Sequence, residues 1–230
     1  MPKVYEESLD QRINRVWDIE DCKDIGHKRS FYEANGLWEK ELDELWVKEP
    51  ENMATASFGR NWGYYVGMDE IRKAYARYTK VNPVGYSYLH PLTTWCGEVA
   101  KDRLTSQHLW YAITEETQDF GDGEPKPFWI AEKVGIDFKL EEDGWKIWHL
   151  FIGTDFVSAP GADYEDRDVD DPADFFDPVK ETFGTPTLPM DAYITRYNYY
   201  DYPAMPTPYD TFADAVSCGP EGNPLYKKEG

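Results

Sequence analysis

The fold is decided by the run Tyr65-Val66-Gly67-Met68-Asp69-Glu70-Ile71-Arg72, in which a short strand turns directly into a helix. The helix predicted from it covers residues 69–78 and ends before Pro83 and Gly85. Its apolar positions recur at helical spacing, at Ile71, Ala74, Tyr75 and Tyr78. Because the chain beyond Gly85 has the pattern of strands, this run predicts the last helix of an N-terminal helical region.

A second informative run is Glu141-Glu142-Asp143-Gly144-Trp145-Lys146-Ile147-Trp148-His149, in which Asp143-Gly144 suits a tight hairpin turn that opens an apolar strand. The sequence predicts strands over 86–96, 104–117, 129–140 and 145–156. We therefore expect an α+β protein with a cone-like fold. Its curved antiparallel sheet would pack on three N-terminal helices and enclose a pocket.

Two helices are predicted before the first run. The first would have Asp18 as its N-cap and end at Asn35-Gly36, because both of these residues tolerate a left-handed conformation. The second fits residues 37–47 and is stopped by Pro50. A strand is predicted over 53–58, and Pro91 marks an edge position or a bulge in a later strand.

The last predicted strand is apolar on both faces. Strict alternation places Trp145, Ile147, His149 and Phe151 on one face, and Trp148, Leu150 and Ile152 on the other. A sheet with one wet face would alternate with polar residues. We therefore expect one face to cover a core or pocket and the other to meet a second layer or a second subunit, and we favour a homodimer or homotrimer.

Composition limits the classes of function. The chain has 230 residues, 41% of them apolar, with 24 basic and 44 acidic side chains and a net charge of −20. Such a charge repels phosphate backbones and anionic lipid surfaces, so neither nucleic acid nor a membrane is an expected partner. Three dispersed cysteines indicate neither a disulfide framework nor a zinc site.

Targeting and cofactor signals are also missing from the sequence. No N-terminal apolar run follows a basic start, which favours a cytoplasmic protein. No Gly-rich phosphate loop and no ligand-spaced His/Asp cluster is present, so we expect neither a nucleotide cofactor nor a metal.

The character of the chain changes after Phe156, which predicts a domain over 1–156 and an extension over 157–230. An acidic stretch over 163–177 is interpreted as a solvated linker. The Pro- and Tyr-rich tail beyond it is too polar to form its own core and too aromatic for a typical disordered tail. We expect this tail to wrap over the body or over a neighbouring subunit.

The order of these elements resembles the nuclear transport factor 2-like superfamily, and within it the SnoaL-like branch. The resemblance rests on the Tyr-x-Gly-x-Asp-Glu-Ile-Arg helix start and the Asp-Gly-Trp-Lys-Ile strand start, and it covers roughly Trp17 to Phe156. It implies the cone-like fold. Because this fold hosts dehydratases, isomerases, cyclases, ligand carriers and assembly modules, it implies no single function.

Two enzyme groups of the superfamily, the scytalone dehydratases and the bile acid 7α-dehydratases, carry a histidine at the start of the strand after the third helix. His90, in Tyr-Leu-His-Pro-Leu, falls there. Both groups also use a tyrosine and an aspartate near the end of the first helix. When Trp38 is aligned with the tryptophan of the bile acid enzymes, Arg29 stands at the tyrosine's place and Ala34 at the aspartate's, which argues against the same reaction.

Tyr32 and Glu33 are the residues that could supply those two groups from shifted positions. A looser resemblance links the chain to SnoaL-like lyases that remove formaldehyde from lignin-derived diaryl diols. Those enzymes have a large aromatic pocket, and the 9 Trp, 17 Tyr and 11 Phe of this chain would suit such a substrate.

Four histidines are candidates for proton transfer, since histidine titrates near neutral pH. His90 and His108 lie on neighbouring predicted strands and could pass a proton across a bound alcohol if both face the concave side. The alternative is that either is a hydrogen-bonded residue of the sheet. The role of His149 depends on which face of its strand it occupies. His27 is expected to be exposed.

Arg29 falls on the apolar stripe of the first helix, so it either faces a pocket and holds an anionic or phenolic oxygen, or pairs with Glu33 or another carboxylate. Tyr32 is either a donor to a leaving hydroxyl or a core residue. Glu115 and Glu116 end a strand and are expected to be solvated. Core packing is the better explanation for any one of the candidate walls of a substrate pocket, which are Trp62, Tyr64, Tyr65, Trp95, Trp110, Trp129 and Trp148.

These observations predict a cofactor-independent lyase that dehydrates or deformylates a small hydrophobic, aromatic alcohol by His-based acid–base catalysis. His90 would remove a proton, His108 or Tyr32 would protonate the departing oxygen, and Arg29 would stabilise negative charge. The substrate would also contact Glu33 and His149. The alternatives are a non-enzymatic small-ligand carrier or sensor, an isomerase or cyclase on the same fold, and an assembly module.

Overall fold

The computed structural model describes residues 7–81, 88–118, 126–158, 180–191 and 202–226. Its helices are α1 Leu9–Ala34, α2 Trp38–Glu44, α3 Pro50–Thr55 and α4 Met68–Val81. Its strands are β1 Ser57–Arg60, β2 Gly63–Val66, β3 Tyr88–Leu89, β4 Leu92–Val99, β5 Thr105–Gln118, β6 Lys126–Glu141, β7 Gly144–Ser158 and β8 Leu188–Pro189. The acidic linker over 163–177 and the tail tyrosines of 193–200 lie outside the described residues.

The eight strands form one curved sheet in the order β3-β5-β6-β7-β1-β2-β8, with β4 also paired to β5. All neighbours run antiparallel except β1 and β7, which are parallel, with Ser57 opposite His149 and Phe58 opposite Leu150. The helices pack on the concave face, with α1 in contact with β4, β5 and β7. The α+β, cone-like architecture expected from the sequence is therefore confirmed.

Helix α1 begins earlier than its sequence pattern predicted. Ser8 is the N-cap, and its side chain and that of Gln11 form a reciprocal capping box with the backbone. The predicted cap, Asp18, is instead buried inside the helix. Its carboxylate accepts hydrogen bonds from Arg103 Nε at 2.6 Å and from Trp145 Nε1 at 3.2 Å. Asp18 therefore fastens the helix to the sheet and does not start it.

A fourth helix stands where a strand was predicted. Pro50 does not end a helix, because α2 already ends at Glu44; it occupies the first turn of α3, where its fixed φ and missing N–H carry no penalty. Residues 53–55 consequently belong to α3, and β1 starts only at Ser57. The strand predicted over 86–96 is also two strands, β3 and β4, separated by His90-Pro91, which agrees with the irregularity expected at Pro91.

The main core fills the space between the helices and the concave face of the sheet. It includes the fully buried side chains Trp46, Trp62, Ile71, Trp110, Phe138 and Ile147. Edge-to-face and tilted aromatic contacts recur through it, for example between Phe58 and Tyr75 at 5.3 Å. No helix within the described residues is both long and apolar enough to cross a membrane.

A β-bulge in β7 overturns the predicted assignment of its faces. Asp137 of β6 pairs with His149 whereas Phe138 pairs with Ile147, so Trp148 is an extra residue in β7. The extra residue shifts the alternation by one position. Ile147 and Leu150 therefore both face the main core, while His149 turns to the outer face.

The outer face of β7 is covered by the C-terminal segment of the same chain. Tyr202 and Cys218 pack there against Tyr64 and Phe151 in a second apolar cluster. Tyr64 Oη lies 2.5 Å from Tyr202 Oη. The second layer expected on this face is thus present within one chain, and the homodimer or homotrimer inferred from the same pattern stays a prediction.

Candidate functional site

His90 is held in the break between β3 and β4, at the end of the concave face. Because Pro91 follows it, the strand is interrupted here. The hydroxyl of Ser30 on α1 donates to the His90 carbonyl oxygen and fixes the backbone against the helix. The His90 residue is only 4% exposed, so the imidazole lies in the interior of the protein.

Three carboxylates surround the imidazole of His90. Nε2 lies 2.5 Å from Glu116 Oε1 of β5, which is ion-pair contact although the N–H is not aligned for a hydrogen bond. Nδ1 lies 3.5 Å from Glu33 Oε2 of α1 and 3.7 Å from Glu132 Oε2 of β6. All three carboxylates are buried. One helix, α1, and two neighbouring strands, β5 and β6, thus converge on one ring.

Arg29 continues this group of charges along α1. Its Nη1 lies 2.8 Å from Glu33 Oε2, one helical turn away, and its Nε lies 3.4 Å from Glu41 Oε1 of α2. Glu41 Oε1 also accepts hydrogen bonds from Tyr75 Oη at 2.9 Å and Trp46 Nε1 at 3.2 Å. Two roles were considered for Arg29, and these contacts fit the second, in which it pairs with carboxylates.

Arg60 closes the other side of the group. Its Nη2 lies 3.5 Å from Glu132 Oε1, and its guanidinium stands 5.4 Å from the centre of the Trp62 ring. Thr154 on β7 donates from its hydroxyl to the same Glu132 oxygen at 3.4 Å. We define the His90 cluster as the seven ionisable residues in this chain of contacts: Arg29, Glu33, Glu41, Arg60, His90, Glu116 and Glu132.

Burial and charge raise the pKa values of His90, Glu41 and Glu132 in the His90 cluster. Burial by itself would lower the pKa of His90, but the charges of Glu33, Glu116 and Glu132 outweigh it and raise the pKa to about 9. Burial raises the pKa of Glu41 to about 7 against the opposing charge of Arg29, and it raises the pKa of Glu132 against that of Arg60. At neutral pH, His90 is therefore an imidazolium among carboxylates.

His108 lies on the concave face but far from His90. Trp95 Nε1 donates to its Nδ1 at 3.1 Å, so its Nε2 carries the proton and donates to Ser106 Oγ at 2.9 Å. Burial, with a smaller effect from the charge of Lys23, lowers the pKa of His108 to about 3. Glu116 is eight residues further along β5, which is roughly 27 Å at the rise of an extended strand. The two histidines therefore do not flank one bond of a small substrate.

Tyr32 points away from the His90 cluster. Its hydroxyl donates to Glu44 Oε2 at 2.6 Å, and Lys40 Nζ stands 5.0 Å from the centre of its ring. These contacts lie at the exposed junction of α1 and α2. Glu33, the next residue on α1, is the one that reaches His90. Of the two shifted positions considered from the resemblance, the structure brings only Glu33 to the histidine.

His149 belongs to a different group of side chains on the outer face. Its Nδ1 lies 2.9 Å from Asp137 Oδ2, which also accepts hydrogen bonds from Ser217 Oγ at 2.7 Å and Cys218 N at 3.0 Å. His149 thus anchors the C-terminal segment through Asp137. The sheet itself separates it from the His90 cluster. The remaining histidine, His27, is exposed as expected.

The candidate aromatic walls separate into three locations. Trp62, Tyr65 and Trp110 are buried in the main core, Tyr64 is buried on the outer face, and Trp129 is half exposed. Trp62 is the one nearest to the His90 cluster, through Arg60.

Sequence reasoning missed several members of the His90 cluster, and it was wrong about Glu116. That residue was expected to be solvated, yet it is only 4% exposed. Its position on β5 offers a signal, because it shares a face with His108, Trp110, Ala112 and Thr114 by strict alternation. Glu41 and Glu132 carry no such signal, since what buries them is contact with distant parts of the chain.

In the part of the chain that the structure describes, no group of three or more His, Cys, Asp and Glu side chains is arranged to hold a metal ion. Independently of this, the His90 cluster brings an imidazole and three carboxylates together. The imidazolium of His90 is a charged proton donor, and the carboxylates are acceptors. Because these side chains are buried, bulk water has little access to them.

No protein-family model matches the sequence, and no curated protein matches it. Solved structures do resemble the fold. A protein of Novosphingobium aromaticivorans provisionally named as a scytalone dehydratase aligns with a TM-score of 0.53 and 9% identity, over 68% of this chain and 94% of its own. A protein of Streptomyces avermitilis provisionally named as a dehydratase of the NTF2-like family aligns with a TM-score of 0.51 and 17% identity, over 61% and 97%.

A hexachlorocyclohexane dehydrochlorinase of Novosphingobium barchaimii also aligns, with a TM-score of 0.51 and 14% identity, over 68% of this chain and 98% of its own. The fold is therefore that of the nuclear transport factor 2-like proteins, as the resemblance in the sequence implied.

Proposed function

We propose that this protein is a cofactor-independent lyase that acts on a small hydrophobic, aromatic alcohol by dehydration or by a deformylation-type elimination. The observation that carries the proposal is the buried imidazolium of His90 with Glu116, Glu33 and Glu132 around it. An elimination needs a group that protonates the leaving oxygen and another that removes a proton. Both kinds of group stand within this one cluster.

The protonation state assigns the roles. Since the pKa of His90 is raised to about 9, His90 holds its proton at neutral pH and is suited to donate it to the departing oxygen. This reverses the role of base that the sequence suggested. Glu132 is the proposed base, because burial raises the pKa of its carboxyl and its Oε2 makes no hydrogen bond with the described residues. Glu33 and Arg29 position the imidazole.

The number of ionisable groups favours an enzyme over a carrier. A protein that only carries an apolar molecule gains nothing from burying charges, each of which costs free energy to desolvate. Seven ionisable side chains in contact with one another are therefore better explained by chemistry. Two of the similar structures bear the names of a dehydratase and a dehydrochlorinase, which supports an elimination on this fold at low sequence identity.

Turnover of a panel of 1-arylpropanols and 1-arylpropane-1,3-diols, followed by chromatography for loss of water or release of formaldehyde, tests the proposal. No metal or nucleotide would be added. We expect His90→Asn to lower kcat by about 100-fold or more, the usual effect of removing a general acid. The matched control is His27→Asn, which alters an exposed histidine of α1.

Full activity of the His90→Asn variant would contradict the proposed chemistry. If the wild-type protein turned over none of the panel but bound its members, the carrier would be the better reading.

A further inference from the structure

The two oxygens of the Glu132 carboxylate have different surroundings. Oε1 accepts a hydrogen bond from the Thr154 hydroxyl at 3.4 Å and lies 3.5 Å from Nη2 of Arg60. Oε2 is directed towards His90, whose Nδ1 is 3.7 Å away. Because Glu132 is fully buried, these neighbours and not solvent orient the carboxylate. In the proposed reaction, Oε2 would therefore receive the proton while Oε1 is held.

Thr154 stands opposite Glu132 because β7 contains a second bulge. Ala131 of β6 pairs with Phe156, whereas Glu132 pairs with Thr154, so Asp155 is the extra residue. A bulge locally disrupts the ladder of backbone hydrogen bonds. The position of the Thr154 hydroxyl consequently depends on whatever fixes the backbone at this point of β7.

The side chain of Asn61 fixes that backbone. Its Oδ1 accepts a hydrogen bond from Thr154 N at 2.8 Å, and its Nδ2 donates to Thr154 O at 3.1 Å. One amide thus bonds both backbone groups of one residue, as the main chain of a neighbouring strand would. Strand β1 ends at Arg60, so Asn61 extends the contact of β1 with β7 beyond the end of the strand. We call these two hydrogen bonds the Asn61 clamp.

The turn between β1 and β2 does not by itself require an asparagine. Asparagine suits turns in which φ is positive. Among the described residues other than glycine, however, only Arg103 has a positive φ. Asn61 is also fully buried, whereas connecting segments normally lie on the surface. The hydrogen bonds to Thr154 therefore account for this residue better than the turn does.

We propose that Asn61 is a positioning residue for the base of the elimination. It holds the backbone of Thr154, and the Thr154 hydroxyl in turn holds Glu132 with Oε2 towards His90. This inference rests on the proposed function, because Glu132 is the base only in that reaction. Asn61 acts through Thr154 and is not itself a catalytic residue. Since Arg60 precedes it, one short segment carries both the clamp and the cation that contacts Oε1.

Loss of the Asn61 clamp should change the ionisation of two groups. The Thr154 hydroxyl stabilises the ionised form of Glu132, so its removal raises the pKa of Glu132 further. Glu132 is one of the three carboxylates that face His90, beside Glu33 and Glu116, and the other charges of the His90 cluster stay unchanged. A less ionised Glu132 therefore lowers the pKa of His90 from about 9. A merely structural contact would affect stability without moving the pKa of His90.

Titration of protein labelled with ¹⁵N-histidine measures the pKa of His90, and the ring signals are assigned by their loss in His90→Gln. We expect this pKa to fall by about 0.5 or more in Asn61→Ala and in Thr154→Val. Thr154→Ser keeps the hydroxyl, so it should restore the wild-type value to within about 0.2. Asn61→Ser is expected to behave like Asn61→Ala and replaces it if that variant does not fold.

The matched control is Asn52→Ala. Asn52 is also buried, and its Nδ2 donates at 2.9 Å to Oε1 of Glu141, the last residue of β6. Its replacement should lower stability and leave the pKa of His90 unchanged. An unchanged pKa of His90 in the Asn61 variants or in Thr154→Val, or an equal fall in Asn52→Ala, would overturn the inference.

Kinetics on the arylpropanol panel separate this inference from the proposed function. Asn61→Ala should lower kcat by about ten-fold with little change in KM, because the base and not the binding surface is displaced. An unaltered kcat in a protein that does turn over its substrate would contradict the role of Asn61. The titrations need no turnover. A fall in the pKa of His90 in a protein that converts no member of the panel would refute the proposed function and leave the effect of the Asn61 clamp on Glu132 standing.

Discussion

The surroundings of two histidines on one sheet face give them different charges at neutral pH: His90 is cationic and His108 is neutral. Three carboxylates raise the pKa of His90 to about 9, whereas burial lowers that of His108 to about 3 among Trp95, Trp110 and Phe138. Both imidazoles are equally hidden from water. The number of neighbouring charges, and not the depth of burial, therefore decides which histidine carries a proton.

Stability should fall with pH because of His90. Its folded pKa of about 9 lies above the ordinary value of 6.5, so its contribution is complete below pH 6.5 and is lost as the pH rises through 9. Urea unfolding of wild type and His90→Gln at pH 6 and pH 9.5 checks this. We expect the wild type to lose on the order of 2 kcal/mol more than the variant over that interval. Equal losses would argue against an ionised His90.

Gly26 in α1 is required by a close contact with Trp110, although alanine has the higher helix propensity. A Cβ at Gly26 would stand 2.9 Å from Cη2 of the Trp110 ring. Alanine normally stabilises a helix interior by up to about 1 kcal/mol relative to glycine. We expect Gly26→Ala to lower the free energy of unfolding by about 1–2 kcal/mol instead, because the indole is rigid and buried. Urea unfolding measures it, with His27→Ala as the exposed neighbour for comparison.

At this scale, the sequence led to some members of the site and not to others. His90 and Glu33 were found because a resemblance located them, and Arg29 because an ionised group on an apolar helical stripe needs a partner. Arg60, Glu41, Glu116 and Glu132 were not found. Acidic residues are common on surfaces, and in a chain with 44 of them nothing local distinguishes the few that fold inward.

Elements were predictable where their pattern is long and uninterrupted. Strands β5 and β6 and helix α4 lie within a few residues of their predicted limits. The faces of β7 were not predictable, because the bulge at Trp148 depends on how Asp137 and Phe138 of the neighbouring strand are paired. Helix α3 was missed because Pro50 was interpreted as the end of the preceding helix, whereas a proline is equally suited to the first turn of a new one.

The first two turns of α1 depend on their cap more than on packing. Leu9, Val16 and Trp17 are exposed, so this end of the helix buries little apolar surface. We expect Ser8→Ala to destabilise it by about 1 kcal/mol and to speed amide hydrogen exchange over residues 9–16. Exchange in β5 and β6 should not change. Unaltered exchange at residues 9–16 would mean that the capping box contributes nothing.

At the scale of the whole molecule, a buried carboxylate is one of several links between the C-terminal segment and the outer face, beside the Tyr64–Tyr202 contact and the backbone hydrogen bond from Lys101 to Tyr209. Asp137 accepts hydrogen bonds from Ser217 Oγ, Cys218 N and Gln107 Nε2, and it contacts His149. Hydrogen bonds to a charged acceptor contribute about 1.5–3 kcal/mol each. Removal of this carboxylate should therefore release the segment.

The reactivity of the cysteine thiols would measure the release of the C-terminal segment. Cys218 belongs to the C-terminal segment and is buried against the outer face, Cys22 lies in the main core, and Cys96 is partly exposed. In Asp137→Ala we expect the thiol of Cys218 to react with a maleimide at least ten-fold faster than in wild type, as read by mass spectrometry of the labelled peptides. Cys96 should react in both proteins at the same rate. Faster labelling of Cys22 as well would indicate global unfolding instead.

The parallel pairing of β1 with β7 has a consequence for how the chain folds. Ser57 and His149 are neighbours in the sheet, although the helices α1–α4 and the strand β1 are all synthesised long before β7. Until β7 arrives, only one edge of β1 is paired, with β2, and its other edge has no strand beside it. Contacts between such distant parts of a chain slow the search for the native state, so we expect folding over milliseconds to seconds and a need for chaperones during synthesis.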